Sequence, residues 1–412
     1  MNNFVNELQT REFIYQSTNL VDLKKSIESN KIKAYIGFDC TAKSLHVGNL
    51  IQIMMLRWLQ KFGHQPIILL GGGTTKIGDP SGKDEARKVL GFNDIEENKN
   101  SIKKVFAKFL NFNSDNKAII LDNDEWLKDI NYIDFLRDFG KYFSINRMIN
   151  FESVKLRLDR EQSLSFLEFN YMLLQAFDFY HLYNKEQCVL QMGGSDQWGN
   201  IVNGVELIRK KLGKEVYGLT SPLLTTSSGA KMGKTASGAV WLNEEMLSPY
   251  EYWQFWRNTE DADVIKFLKL FTKLPLKYID ELSKLSGKEI NDAKIILADE
   301  ATKLCHGIEA ANSAKSTSKQ IFEANNINNN LPKYEVSSIE IKNGMTLFKL
   351  LVSCNLAASN SAARKLIQGN GIRINNNVVS DINYIIHQDD FDDKNLKLSV
   401  GKKKHMLVKL IT

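Results

Sequence analysis

The chain has 412 residues, 43% of them hydrophobic and 25% charged, with a net charge of +6. This ordinary composition excludes a disordered, collagen-like or disulfide-scaffold protein, and the length suits two or three domains with large cores. Charges or amides break every long apolar stretch, so no membrane-spanning helix is expected. Met1 to Glu7 has neither a basic region nor an apolar core, so no signal peptide is expected either. The cysteines Cys40, Cys188, Cys305 and Cys354 stand far apart with no C-x-x-C, which fits a reducing cytosol and no zinc site.

The first half alternates strand and helix signals. Lys33 to Phe38 reads as a short buried strand. In the turn that follows, His46 and Asn49 stand three apart at the start of a helix near Gly48. A helix N-terminus favours an anion, so both residues can face a phosphate there, with His46 donating to charge that develops on it. H-x-G-N alone also fits a capped turn. Apolar residues at 50, 51, 54, 55, 58, 59 and 62 mark the helix, and Gly63 stops it. Pro66 to Leu70 is the next strand, ending in Gly71-Gly72-Gly73. Gly78 to Arg87 mixes turn residues with charge, and Lys83 and Arg87 can swing onto a leaving pyrophosphate or simply stay solvated. An amphipathic helix carries Ile102, Val105, Phe106, Phe109 and Leu110, and Ala118 to Leu121 is a further strand.

Leu164 to Tyr183 reads as one long helix. Spacings of four and three put Tyr171, Gln175 and Asp178 on a single face, a phenol, an amide and a carboxylate in an otherwise apolar helix. They form either a polar pocket or an interfacial polar stripe. Cys188 to Met192 is a strand that runs into Gly193-Gly194-Ser195-Asp196-Gln197, where Asp196 can accept ribose hydroxyls and Gln197 can donate to a reacting carboxyl. Strands alternating with helices predict parallel β-α-β units. Lys231-Met232-Gly233-Lys234-Thr235 lies among small and hydroxyl residues, a make-up that lets a loop close two ammonium groups over a triphosphate.

From about Ser248 helical periods dominate to Phe322, and Asn325 to Pro332 reads as a linker. Residues 345–412 hold ten Lys/Arg against five Asp, which is +5 of the net +6. A small basic module after a nearly neutral body points to nucleic acid, or to a solubility tail. In it, Ser359 to Asn375 reads as a helix bearing Arg364 and Lys365, a glycine turn and a strand bearing Arg373.

H-x-G-x after the first strand, with K-M-x-K-T downstream, resembles the signature pair of class I aminoacyl-tRNA synthetases. Over nearly its whole length the chain is similar to the bacterial-type tyrosyl-tRNA synthetases. Two positions depart: Asn49 replaces a second histidine, and Gly233 and Thr235 stand where two serines are usual. An amide still donates to phosphate, and both lysines are kept.

The resemblance implies an α/β fold. A Rossmann-like, doubly wound parallel-sheet catalytic domain (1–247) precedes an α-helical anticodon-arm domain (248–324), a linker (325–344) and a small α+β RNA-binding domain (345–412) of ribosomal-protein type. It also implies a reaction: L-tyrosine and ATP give tyrosyl-adenylate plus pyrophosphate, and the tyrosyl group then passes to the 3′ end of tRNA(Tyr). His46, Asn49, Thr41, Lys231, Lys234, Lys83 and Arg87 are then catalytic. Tyr171, Gln175 and Asp79 take the α-ammonium, and Asp178 and Tyr35 the hydroxyl. Asp39, Asn123, Gln191 and Gln197 complete the tyrosine site. Gly37, Gly48, Gly194, Asp196 and Met232 join His46, Asn49 and the two lysines around ATP. Arg364, Lys365, Arg373, Lys402, Lys403 and Lys404 meet RNA phosphates. A cytoplasmic homodimer using ATP with accompanying Mg2+ is implied, and no membrane partner. A tryptophan–tRNA ligase shares both signatures, but Asp178 with Tyr35 suits a phenol better than an indole. Another nucleotidyl-transferring enzyme of the fold has no use for the helical region or basic module, and a non-enzymatic RNA-binding relative has no use for the active-site motifs.

Overall fold

The computed structural model describes residues 3–80, 90–229, 232–235, 238–323, 331–401 and 404–411. The chain divides into two compact units, Met1–Ala230 with Lys266–Asp280, and Lys231–Ile265 with Glu281–Thr412. The seam therefore differs from the boundary expected after residue 247. One reason is local: the buried guanidinium of Arg11 donates to the carbonyls of Lys269 (3.0 Å) and Leu274 (2.7 Å), which ties that returning segment to the first unit.

In the first unit, β1 (Gln16–Ser17), β2 (Lys33–Phe38), β3 (Gln65–Leu70), β4 (Ile119–Asp122), β5 (Cys188–Gly194) and β6 (Tyr217–Ser221) form one sheet in the order β1-β6-β5-β2-β3-β4. Strands β2 to β6 pair in parallel and β1 is an antiparallel edge. Ala34 to Ile36 and Pro66 to Leu70 are buried throughout, as strands covered by helices on both faces must be. The crossovers include α1 (Val47–Lys61), α2 (Phe92–Ala107) and α3 (Phe166–Glu186), and α4 (Trp198–Leu212) joins β5 to β6 and ends at Gly213, whose φ of +64° glycine adopts without strain. From β2 the chain winds outward through β3 and β4, and from β5 it winds the other way to β6. The reversal between β2 and β5 opens a crevice at the carboxyl ends of the strands, where ligands of such sheets bind.

In the second unit, β7 (Lys234–Thr235) and β8 (Gly238–Ala239) pair antiparallel. Helix α5 (Pro249–Arg257) opens with Ser248 and Glu251 in a reciprocal cap and proline in its first turn. It packs with α6 (Ile290–His306), where the Trp253 indole N–H donates to Asp299 at 2.8 Å, and with α7 (Ile308–Glu323). Next comes a five-stranded sheet of β9 (Lys333–Ser337), β10 (Ile372–Ile374), β11 (Asn377–Val378), β12 (Asn395–Val400) and β13 (Lys404–Ile411), in the order β11-β10-β12-β13-β9. Helices α8 (Leu347–Ser353) and α9 (Asn360–Gln368) share its core through Leu350, Leu351, Ile367 and Leu398.

The linker expected over 325–344 is thereby shortened. Residues 324–330 lie outside the described residues, but β9 pairs in parallel with β13 and a short helix, Ser338–Lys342, follows it. Tyr334 and Val336 alternate toward the core while Lys333 and Glu335 are exposed, a period-2 pattern masked by its charges. Among the described residues no helix is long and apolar enough to cross a membrane.

Candidate active site

Beyond β2 the chain turns into α1 at His46, which caps the helix. The imidazole Nδ1 accepts the Gly48 N–H at 3.0 Å, and the Asn49 side-chain oxygen accepts the His46 N–H at 3.2 Å. An accepting Nδ1 is unprotonated, so a neutral ring carries its proton on Nε2, where it can donate. Asn49 turns its oxygen back into the cap, leaving its amide nitrogen as the donor end. Gly37 and Thr41 are exposed nearby in the chain, and a Cβ on Gly37 would meet nothing within 4 Å.

Four of the residues expected to meet tyrosine, Asp39, Asn123, Tyr171 and Asp178, join in a chain of hydrogen bonds across the carboxyl ends of three strands. Asp178 of α3, only 2% exposed, accepts from Asn123 Nδ2 at 2.9 Å and from the Trp126 indole N–H at 2.8 Å. Asn123, just past β4, also donates to Thr74 Oγ1 (3.1 Å) and accepts the Gly73 N–H (2.8 Å). Thr74 Oγ1 donates to Asp39 Oδ1 (3.0 Å), and the Tyr171 hydroxyl donates to the same carboxylate at 3.2 Å. The chain thus runs Trp126, Asp178, Asn123, Thr74, Asp39, Tyr171. The glycines after β3 make room for it: a Cβ on Gly71 would lie 2.3 Å from Asp39 Oδ1, and one on Gly72 would lie 2.2 Å from Asp122 Oδ1.

A second cluster joins the turn after β5 and helix α4 to α3 and to Asp79. Gln197 Nε2 donates to Asp79 at 2.7 Å, and Asn200 Nδ2 donates to both Gln197 (3.0 Å) and Gln175 (2.9 Å). Tyr171, Gln175 and Asp178 do share one face of α3, as their spacing predicts, yet each reaches a different element. At the end of β5, Gly194 leaves space for Asp196, whose Oδ1 would lie 2.5 Å from a Cβ there.

Burial sets the electrostatics. The Asp178 carboxyl is pushed up to about 7, first by burial and then by the nearby charges of Asp39 and Asp122, against the opposing hydrogen bonds from Asn123 and Trp126. The Tyr35 hydroxyl is pushed well above its ordinary value, mainly by burial and also by Asp178. Tyr35 Oη and Gln191 Oε1 are buried with no hydrogen-bond partner among the described residues. Such an atom costs about 1–3 kcal/mol, so both fit a ligand that brings polar groups of its own. The Tyr35 ring rests against Phe179 at 5.4 Å between centroids.

Trp126, Thr74 and Asn200 are absent from the sequence expectation. Only Asn200 carried a signal, three residues past Gln197 on one helical face. Lys83, Arg87, Lys231, Lys402 and Lys403 lie outside the described residues, as does the side chain of Lys234. Met232 is buried in the second unit. In the basic module Lys365 and Lys404 are exposed, Arg373 is half-buried, and the exposed Arg364 stacks its guanidinium 4.3 Å over the Phe348 ring.

Residues 28–323 match the family model described as tRNA synthetases class I (W and Y), and residues 323–408 match that of the tyrosine–tRNA ligase SYY-like C-terminal domain. The chain is 53% identical over 412 residues to the tyrosine–tRNA ligase of Pelagibacter ubique, covering 100% of both. It is 55% identical over 409 residues to that of Rickettsia massiliae, covering 99% of this chain and 100% of the relative. Among solved structures, it is similar to a C-terminally truncated mitochondrial tyrosyl-tRNA synthetase of Aspergillus nidulans. The TM-score is 0.70 and the identity 31%, over 78% of this chain and 95% of that one.

Proposed function

The chain belongs to the class I tRNA synthetases (W and Y) and acts as a tyrosine–tRNA ligase, and from that membership we propose the roles its residues play in the two half-reactions. In the first, the tyrosine carboxylate attacks the α-phosphate of ATP and pyrophosphate leaves. In the second, a hydroxyl of the terminal ribose of tRNA(Tyr) attacks the activated carbonyl and AMP leaves. No covalent intermediate on the enzyme is required; positioning and electrostatic stabilisation suffice.

The observation that carries the tyrosine reading is the buried Asp178 carboxylate, held by Asn123 and Trp126, whose charge also acts on the buried, unpartnered Tyr35 hydroxyl. A phenol donates to Asp178 and accepts from Tyr35. Phenylalanine leaves both unpaired, the principle behind tyrosine-over-phenylalanine selectivity in this enzyme class, for which the established ratio is about 10⁵. Tyr171, Gln175 and Asp79 take the α-ammonium, Asp39 holds Tyr171, and Gln191 and Gln197 complete the site. Asp196 accepts the ribose hydroxyls beside Gly194, and Gly37 and Gly48 let the nucleotide approach the backbone. His46 donates through Nε2 to the phosphates, with Asn49 and Thr41 beside it. Lys231, Lys234, Lys83 and Arg87 stabilise the leaving pyrophosphate, with Met232 anchoring the loop that bears the first two.

Mg2+ accompanies ATP as part of that substrate, held by phosphates and water. Residues 248–324 receive the anticodon arm, and Arg364, Lys365, Arg373 and Lys402 to Lys404 meet tRNA phosphates. The enzyme works in the cytoplasm as a homodimer. In the first unit Phe166 is 69% exposed, and with the exposed Tyr132 and Leu167 it lines a hollow of about 370 Å³. Apolar surface of this kind marks a protein interface, and Phe166→Asp should shift the sedimenting species from dimer to monomer.

ATP–pyrophosphate exchange with each of the twenty amino acids tests the substrate assignment. Exchange with tyrosine alone is expected. Exchange driven best by tryptophan would overturn it.

A further inference from the structure

Helix α2 contributes no residue to the proposed tyrosine contacts, yet it grips the pocket floor at two points. Lys99, 7% exposed, extends its ammonium to Glu96 one turn back and to Asp122 at the end of β4. Its neighbour Asn98, about 100° round the helix, donates to the Cys40 carbonyl at 2.9 Å, directly after Asp39. Asp122 in turn accepts the Asp124 N–H at 3.0 Å. The two donors that hold Asp178, Asn123 and Trp126, stand one and four residues beyond Asp122. Lys99 therefore fixes the base of the turn from which both donors project.

The charges point the same way. The groups that face Asp178 are Asp39 after β2, Asp122 of β4 and the Tyr35 hydroxyl of β2, with His181 of its own helix stacked on Trp126 at 4.2 Å. The two carboxylates oppose ionisation of Asp178, and Lys99 is the cation bonded to one of them. Glu96 shares that ammonium from the solvent side.

We propose that Lys99 is a positioning residue for amino-acid selection: by holding and neutralising Asp122, it keeps Asp178 both oriented and anionic toward the substrate hydroxyl. The proposal rests on the reading that Asp178 meets the phenol.

The test is ATP–pyrophosphate exchange with tyrosine and with phenylalanine, from pH 6 to pH 9, on the full-length enzyme. Lys99→Met should raise KM for tyrosine about tenfold, with a smaller change in kcat, and move the acidic limb of kcat/KM for tyrosine up by about one pH unit. The phenylalanine profile should stay put, so selectivity falls. Lys99→Arg should restore the limb. Because a lone methionine leaves the half-buried Asp122 without its cation, the double variant Lys99→Met with Asp122→Asn serves as a second probe; removing both charges should return the limb toward its original position. A wild-type limb and wild-type selectivity in Lys99→Met would overturn the proposal while leaving the pocket reading intact. Unchanged selectivity in Asp178→Asn would instead remove the pocket reading and this proposal with it.

Discussion

The proposed amino-acid pocket and the C-terminal module both present polar and charged side chains, but they hold them in opposite environments. In the pocket, Asp178, Asn123 and Tyr35 are buried, and the described partners of the first two fix them to within a hydrogen bond. In the module, Lys365 and Lys404 stand in solvent and Arg364 is braced by an aromatic face. Buried groups discriminate, because a wrong ligand leaves them unpaired. Solvated cations attract any phosphate backbone and position it without reading it. In the proposed reading, one chain separates choosing an amino acid from holding a nucleic acid.

The sharpest way to break this division is to remove the module. A chain ending at Leu331, just before β9, should lose tRNA charging by about two orders of magnitude, the scale of several lost phosphate contacts. Pyrophosphate exchange by the same chain should stay within about twofold, since every proposed tyrosine contact lies before it. Equal charging by the truncated and full chains would erase the distinction.

Next in size is a change at the pocket floor. Gly72→Ala would put a methyl 2.2 Å from Asp122 Oδ1. Displacing that carboxylate should weaken tyrosine affinity about tenfold and cost about 1–3 kcal/mol in denaturant stability. Unchanged affinity would show that the end of β4 is not held as tightly as the pocket requires.

How much of this could be read from the sequence follows the same contrast. Strand Lys33–Phe38 and the shared face of Tyr171, Gln175 and Asp178 were legible, because period and spacing are local. Trp126 and Thr74 were not, because an indole or hydroxyl in a loop declares its role only when the fold brings Asp178 or Asp39 to it. The role of Asn49 was half legible: its place beside His46 follows from spacing, but its use of the oxygen as a cap does not. Strand β9 was missed because Lys333 and Glu335 hide the alternation of Tyr334 and Val336.

A subtler test uses pH. The folded Asp178 carboxyl lies near 7, against 3.8 as its ordinary value. Between those values the folded state binds more protons than the unfolded one, so this residue makes stability fall as pH rises, levelling off above about 7. Denaturant melts of the wild type and Asp178→Asn at pH 5 and pH 8 should show that contribution to the difference vanish in the variant. In the module the expected effect is smallest. Replacing Arg364 and Lys365 together by alanine should lower the log–log salt slope of tRNA binding by about two, one for each lost phosphate contact. Amino-acid selectivity should not move.

The central claim, that a buried acceptor and donor choose tyrosine by its hydroxyl, is tested most directly by the ratio of kcat/KM for tyrosine over phenylalanine in Asp178→Asn and Tyr35→Phe. Each lost bond should lower that ratio, by about ten- to a hundredfold for the charged Asp178 and less for the neutral Tyr35. An undiminished ratio in both variants would contradict the account.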